Sequence, residues 1–274
     1  MSYRLFRKGR NGGIIMVRVN KDLCVGCGAC TEDCLAFNIV LDGDKAVVKG
    51  ECIECGHCVA MCPTDAVSIE GYDMDDVEEY DEASFKVDAA NLLRAIKFRR
   101  SIRFFKDEKV SREDLTMLLQ AGRYTATAKN NQGCHFIFVQ EEREELKERV
   151  WGFIDAMGKH VDKALLPYVA FNRRRIKNSA DDYLFRNAPV VLYITSDWPL
   201  DAGLAAQNVE TMANAMGMGA LYNGYLARIS DANVELKKWL GIEDKTIKAC
   251  LLLGYPDRVY RKTAPRKEAN VIWK

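Results

Sequence analysis

The chain has 274 residues, 48% of them apolar, and its 40 Lys plus Arg almost cancel its 39 Asp plus Glu. That length and apolar share suit two domains with at least one well-buried core. The balanced charge excludes a global basic field of the kind that holds nucleic acid or anionic lipid. In chain order, the opening Met1 to Arg10 is basic, and the apolar run that follows, Gly13 to Val17, is too short for a signal segment or a membrane span. A soluble, cytoplasmic protein with no nucleic-acid or membrane partner is expected. Met16 is a candidate start, so no function is read from residues 1–15.

Eight of the ten cysteines fall between Cys24 and Cys62, in two runs of equal spacing: Cys24, Cys27, Cys30, Cys34 and Cys52, Cys55, Cys58, Cys62. Clustered thiols without an export signal indicate metal ligation rather than a disulfide framework. Each run reads C-x2-C-x2-C-x3-C. In this arrangement three sulfurs bend around one corner of a cubane, and the fourth ligates the cluster of the other run. Cys24, Cys27, Cys30 and Cys62 would then hold one 4Fe–4S cluster, and Cys52, Cys55, Cys58 and Cys34 a second. Structural zinc is the competing reading, but zinc sites usually group cysteines as separated pairs. His57 lies between correctly spaced ligands and is expected to tune or cover a cluster rather than bind it. Residues 17–70 resemble the bacterial two-cluster ferredoxins. Pro63 after Cys62 completes that family's pattern, and Leu35 replaces the corresponding proline in the first run.

An acidic tract, Asp73 to Glu82, reads as an exposed linker. It divides the chain into an iron–sulfur domain at 17–72, a linker at 73–87 and a second domain at 88–274. In the latter, Asp88 can cap a helix whose apolar positions Leu92, Leu93, Ile96 and Phe98 recur at helical intervals until Arg100. Ser111 opens another, with Asp114 placed like a capping-box acid. Residues 136–139, 190–195 and 249–253 suit strands, 202–216 a helix headed by Asp201 as N-cap, and 141–183 two or three helices. The second domain is therefore mixed α and β.

Arg99, Arg100, Ser101 and Arg103 form a basic helix end, which the helix dipole alone favours. Guanidinium groups and a hydroxyl this close also suit a phosphate or a ribityl chain. Together with Thr125 to Gln132, Gly217 to Tyr225, and Arg266-Lys267, they resemble the nitroreductase family from about residue 90 onward. This resemblance implies an α+β chain overall, with a ferredoxin-like domain joined to a nitroreductase-like α/β sandwich, a mixed sheet flanked by helices, in a homodimer.

The resemblance further implies FMN, gripped by Arg99, Arg100, Ser101 and Arg103, with Asn130 and Gln132 beside the isoalloxazine. Asn223 and Gly224 would bring backbone amides toward N5, and Arg266 with Lys267 would close on the phosphate. Gly133-Cys134 and Ala126 stand where relatives often have Pro-Trp and proline, which alters loop shape. Cys134 and Cys250 read as small buried hydrophobes, His135 and His160 as structural or surface histidines, and Met212, Met216 and Met218 as core. P-loop, G-x-G-x-x-G, HExxH and G-x-S-x-G motifs are absent, and no catalytic side chain stands out, as expected where the flavin carries the chemistry.

The expected activity is an FMN-dependent oxidoreductase. Two clusters would relay electrons from ferredoxin, or NAD(P)H would supply them, and a small flat acceptor such as a nitroaromatic or quinone would receive them. A non-catalytic electron-carrier or sensing module, and another reaction of the fold such as reductive dehalogenation, are the alternatives.

Overall fold

The computed structural model describes residues 17–50, 52–157, 166–178 and 180–274. The basic opening, the candidate start at Met16 and His160 lie outside them. The chain separates into two compact units, divided at Lys86/Val87, and Ala128–Asn131 group with the first.

In the first unit, β1 (Val17–Val19) pairs antiparallel with β4 (Val67–Ile69), while β2 (Ile39–Asp42) and β3 (Lys45–Val48) form a hairpin. The duplicated cysteine spacing becomes duplicated backbone. In each repeat a left-handed glycine, Gly28 at φ 80° or Gly56 at φ 77°, opens a four-residue helix, α1 (Ala29–Glu32) or α2 (His57–Ala60). Any other residue would be strained there, so the glycine lets the chain turn sharply between ligands. Val17, Ile39, Ala46, Val67 and Ile69 pack with Cys24, Cys30 and Cys58 into one small core.

Within the acidic tract, a 3-10 turn spans Met74–Asp76, and α3 (Glu82–Phe85) is capped by Asp81, whose carboxylate accepts from the Ala83 and Ser84 amides. Residues 128–131 join this unit through Asn130, whose Nδ2 donates to the Glu54 carbonyl at 2.7 Å.

The second unit holds α4 (Ala89–Phe98), α5 (Arg112–Arg123), β5 (His135–Val139), α6 (Arg143–Ala156), α7 (Leu166–Lys177), β6 (Val190–Thr195), α8 (Pro199–Ala215), β7 (Gly219–Tyr222), α9 (Gly224–Ala232), α10 (Val234–Trp239) and β8 (Ile247–Gly254). The sheet order is β5-β6-β8-β7, with antiparallel ladders and one parallel bridge from Ser101 to Ala220. All six residues of β6 are buried because both faces are covered. Val190, Leu192 and Ile194 point into the core shared with α5 and α8, whereas Val191 and Tyr193 point into that shared with α6, α7, α9 and α10. Alternating side chains thus make a continuous apolar run in sequence. Cys250 and Met218 are buried, and Met212, Met216 and Cys134 pack partly buried against the core.

Two local expectations need correction. Asp201 is not the N-cap of α8. Trp198 holds that position, and Pro199 occupies N1, where a missing N–H costs nothing. Asp201 is instead 3% exposed in the first turn, with no hydrogen-bond partner for Oδ2 among the described residues. At α5, Ser111 Oγ accepts from the Asp114 amide as expected, but the Asp114 carboxylate turns away and accepts from Tyr255 OH at 2.8 Å. Half of the capping box forms.

Candidate functional sites

The cysteines segregate into two small pockets of the first unit. Cys24, Cys27, Cys30 and Cys62 line one, walled by Val25, Leu41, Ala46 and Pro63. Cys34, Cys52, Cys55 and Cys58 line the other, with Leu35, Ile39, Val48 and Ile53. The fourth cysteine of each run therefore crosses to the other run's pocket. Backbone amides point at the sulfurs: Ala46 N lies 3.4 Å from Cys24 Sγ, Asn38 N 3.4 Å from Cys34 Sγ, Glu54 N 3.1 Å from Cys52 Sγ, and Ala66 N 3.2 Å from Cys62 Sγ. Such donors stabilise thiolate over thiol.

Amides of Ala46 and Gly26 pull the Cys24 thiol below its ordinary range. Burial pushes Cys62 up, but the amides of Thr64 and Ala66 and the Thr64 hydroxyl outweigh it, so its net shift is downward. Burial dominates at Cys58, whose thiol is pushed up to about 11. Four thiols in an apolar pocket with amides directed at sulfur suit an iron–sulfur cluster. Among the described residues, no three His, Cys, Asp or Glu side chains form a single-ion site. His57 Nδ1 lies 2.8 Å from Asp33 Oδ2, linking the two repeats next to Cys58 and Cys34.

In the second unit, the segment that follows α4 runs along β7. Ser101 bridges Ala220, and the Ile102 amide donates to the Ala220 carbonyl at 3.0 Å. Gly219 permits this approach, since a β-carbon there would lie 2.8 Å from Ile102 Cβ. Arg99 and Arg266 line one cavity of about 600 Å³ with Lys97 and, from α8, Gln207, Thr211 and Asn214. Two guanidiniums, amides and a hydroxyl are a donor set suited to an anionic, polyhydroxylated ligand. Arg100 reaches the tail through the Lys262 carbonyl at 3.4 Å, while Arg103 and Lys267 stand exposed.

Beyond β7, the Asn223 amide is committed to the Cys250 carbonyl and its side chain to Leu184 and Leu226. Gly224 begins α9, so its amide belongs to the helix N-terminus, where N–H groups lack intrahelical partners. Gln132 is held at φ 47°, its amide donating to Thr127 Oγ1. Asn130 groups with the first unit instead. A second cavity, of about 680 Å³, contains none of the expected residues, and ion pairs at it include Lys147 with Asp182 and Arg175 with Asp155.

Glu210 escaped the sequence reading. It is 3% exposed on α8, with Oε1 3.0 Å from Arg99 Nη1. Its signal was a polar series, Gln207, Glu210, Thr211 and Asn214, at helical spacing in a helix otherwise rich in alanine.

The nitroreductase family profile matches residues 96–255, and a 4Fe-4S dicluster domain profile matches residues 23–67. A protein of Archaeoglobus fulgidus, named by inference an NADH dehydrogenase/NAD(P)H nitroreductase, is 30% identical over 165 residues, covering 60% of this chain and 84% of its own. A ferredoxin of Thermococcus litoralis is 42% identical over 57 residues, or 20% of this chain and 97% of its own. A nitroreductase with bound FMN from Bacteroides fragilis shares the fold, with a TM-score of 0.55 and 24% identity over 67% of this chain and 98% of that one. The chain belongs to the nitroreductase family, is an oxidoreductase, and carries a 4Fe–4S ferredoxin domain before its nitroreductase domain.

Proposed function

We propose that this protein is an FMN-dependent reductase in which two 4Fe–4S clusters relay electrons from a low-potential donor such as ferredoxin to the flavin. The observation that carries this reading is the sorting of eight cysteines into two pockets of four, in a chain that also has a nitroreductase domain. FMN, when bound, supplies the chemistry, since it can take electrons singly and deliver a pair. The protein's own groups bind and orient it. Arg99, Arg100, Ser101 and Arg103 would grip the phosphate, the ribityl chain and the pyrimidine edge, Arg266 and Lys267 would close on the phosphate from the tail, and Gln132 would stand beside the ring. The Gly224 amide, at the positive end of α9, would be a donor for the reacting edge of the flavin, with Asn223 before it.

A small, flat acceptor such as a nitroaromatic or quinone is the substrate class. A homodimer is supported by the exposed apolar face of α4, where Leu93 is 57% and Ile96 56% exposed. A cytoplasmic location agrees with the lack, among the described residues, of a helix long and apolar enough to cross a membrane.

The relay is tested by Cys55→Ser, with turnover measured using reduced ferredoxin and, separately, chemically reduced FMN as the electron source. Loss with ferredoxin alone is the expected result. Equal activity with both donors contradicts the relay. Names of relatives favour NAD(P)H as a second donor, and NAD(P)H-driven turnover that survives Cys55→Ser would support direct hydride transfer.

A further inference from the structure

We infer that Lys45 and Glu54 set the two cluster sites apart in potential, so that the site of Cys24, Cys27, Cys30 and Cys62 accepts an electron before the site of Cys34, Cys52, Cys55 and Cys58. The inference rests on the two-cluster reading above. Such a site gains one negative charge on reduction, so a nearby cation stabilises the reduced state and raises the potential, whereas an anion lowers it.

The two repeats diverge at one pair of equivalent positions, two residues after the first cysteine of each run: Gly26 and Glu54. Both backbones are left-handed, at φ 67° and φ 57°. At Gly26 the turn between β2 and β3 lies against the ligand loop, and a β-carbon there would collide with the Asp44 carbonyl. This approach brings Lys45 onto the loop, where its Nζ donates to the Cys24 carbonyl at 2.6 Å. The second repeat instead accepts a strained left-handed glutamate, and with it a carboxylate between Cys52 and Cys55. Tyr72 OH donates to Glu54 Oε2 at 3.3 Å. One site thus holds a half-buried ammonium and the other a half-buried carboxylate.

Amides serve both sites, Ala46 and Ala66 at one and Asn38 and Glu54 at the other, so the two charges make the main difference. The Cys24 thiol is pulled down by the Ala46 and Gly26 amides and, against some burial, by the Lys45 charge. Burial pushes the Cys52 thiol up, and the Glu54 charge adds to it although the Glu54 amide opposes it. Other charges nearby weigh less. Asp42 and Asp44 are exposed on the hairpin, where water screens them, and His57 is paired with Asp33 at 2.8 Å.

The test is an anaerobic titration of the full-length protein with dithionite through low-potential mediators, followed by electron paramagnetic resonance, on samples that hold about eight iron per chain. Wild type should show two midpoints. Lys45→Met should lower the upper midpoint, changing the partition of the first electron between the sites by about threefold or more, and leave the lower one in place. Lys45→Arg, which keeps the charge, should leave both midpoints as in wild type. Glu54→Gln, which keeps the amide at Cys52, should raise the lower midpoint alone.

A single midpoint in wild type, or a Lys45→Met protein in which the upper midpoint does not fall, would overturn the inference. So would a Lys45→Arg midpoint as low as that of Lys45→Met, which would leave the lysine a structural role alone, or a Glu54→Gln protein whose lower midpoint does not rise. Should Lys45→Met lose iron, the wild-type midpoints and Glu54→Gln decide by the same rules. A wild-type protein that holds fewer than about eight iron per chain overturns the two-cluster reading itself, and this inference with it.

Discussion

At the scale of single residues, Gly219 meets a purely steric need, since a β-carbon there would collide with Ile102. Gly219→Ala should destabilise the protein by about 1–3 kcal/mol, by overpacking against Ile102. Thermal unfolding checks this, and Ile102→Ala in the same chain should recover part of the loss. A Gly219→Ala protein as stable as wild type would show that the Ser101–Ala220 contact is loose. Cys24, Cys27 and Cys30 are legible in the sequence because their spacing is short, falling within seven positions. Glu210 is not, because a glutamate on a helix usually faces water, and only the arrival of Arg99 from a distant segment makes its burial tolerable. Asn223 shows the reverse case: its motif position is visible, but the commitment of its amide to Cys250 and its side chain to Leu184 is not.

At the scale of elements, helices bounded by local signals were read well. Asp88 and Ser111 begin α4 and α5 as their caps require, each side chain accepting from an amide three residues on. Ser111→Ala should cost about 1 kcal/mol of stability, measured by denaturant unfolding with an unchanged slope. A loss within error of zero would mean that water replaces the hydroxyl at no cost. The uninterrupted apolar run of β6 was legible as a strand, though its burial on both faces depends on helices far apart in sequence. The short β7 was missed, as a four-residue edge strand beginning with glycine carries little periodicity. The apolar positions Leu92, Leu93, Ile96 and Phe98 do fall within a helix, α4, but all four stay exposed among the described residues. Among the described residues between 141 and 183 lie α6 and α7, whose packing on the sheet no local pattern specifies.

At the scale of the whole molecule, the near-zero net charge gives no global field, and two sets of groups stand out: eight thiols in one unit, and an arginine-rich helix end with its tail in the other. The account holds that these sets carry different cofactors within one chain. The measurement that tests it most directly is iron, acid-labile sulfide, zinc and flavin quantified on one anaerobically purified sample. About eight iron, about eight sulfide and about one FMN per chain are predicted from two cubane quartets and one flavin site. Zinc in place of iron, or iron without flavin, would contradict it.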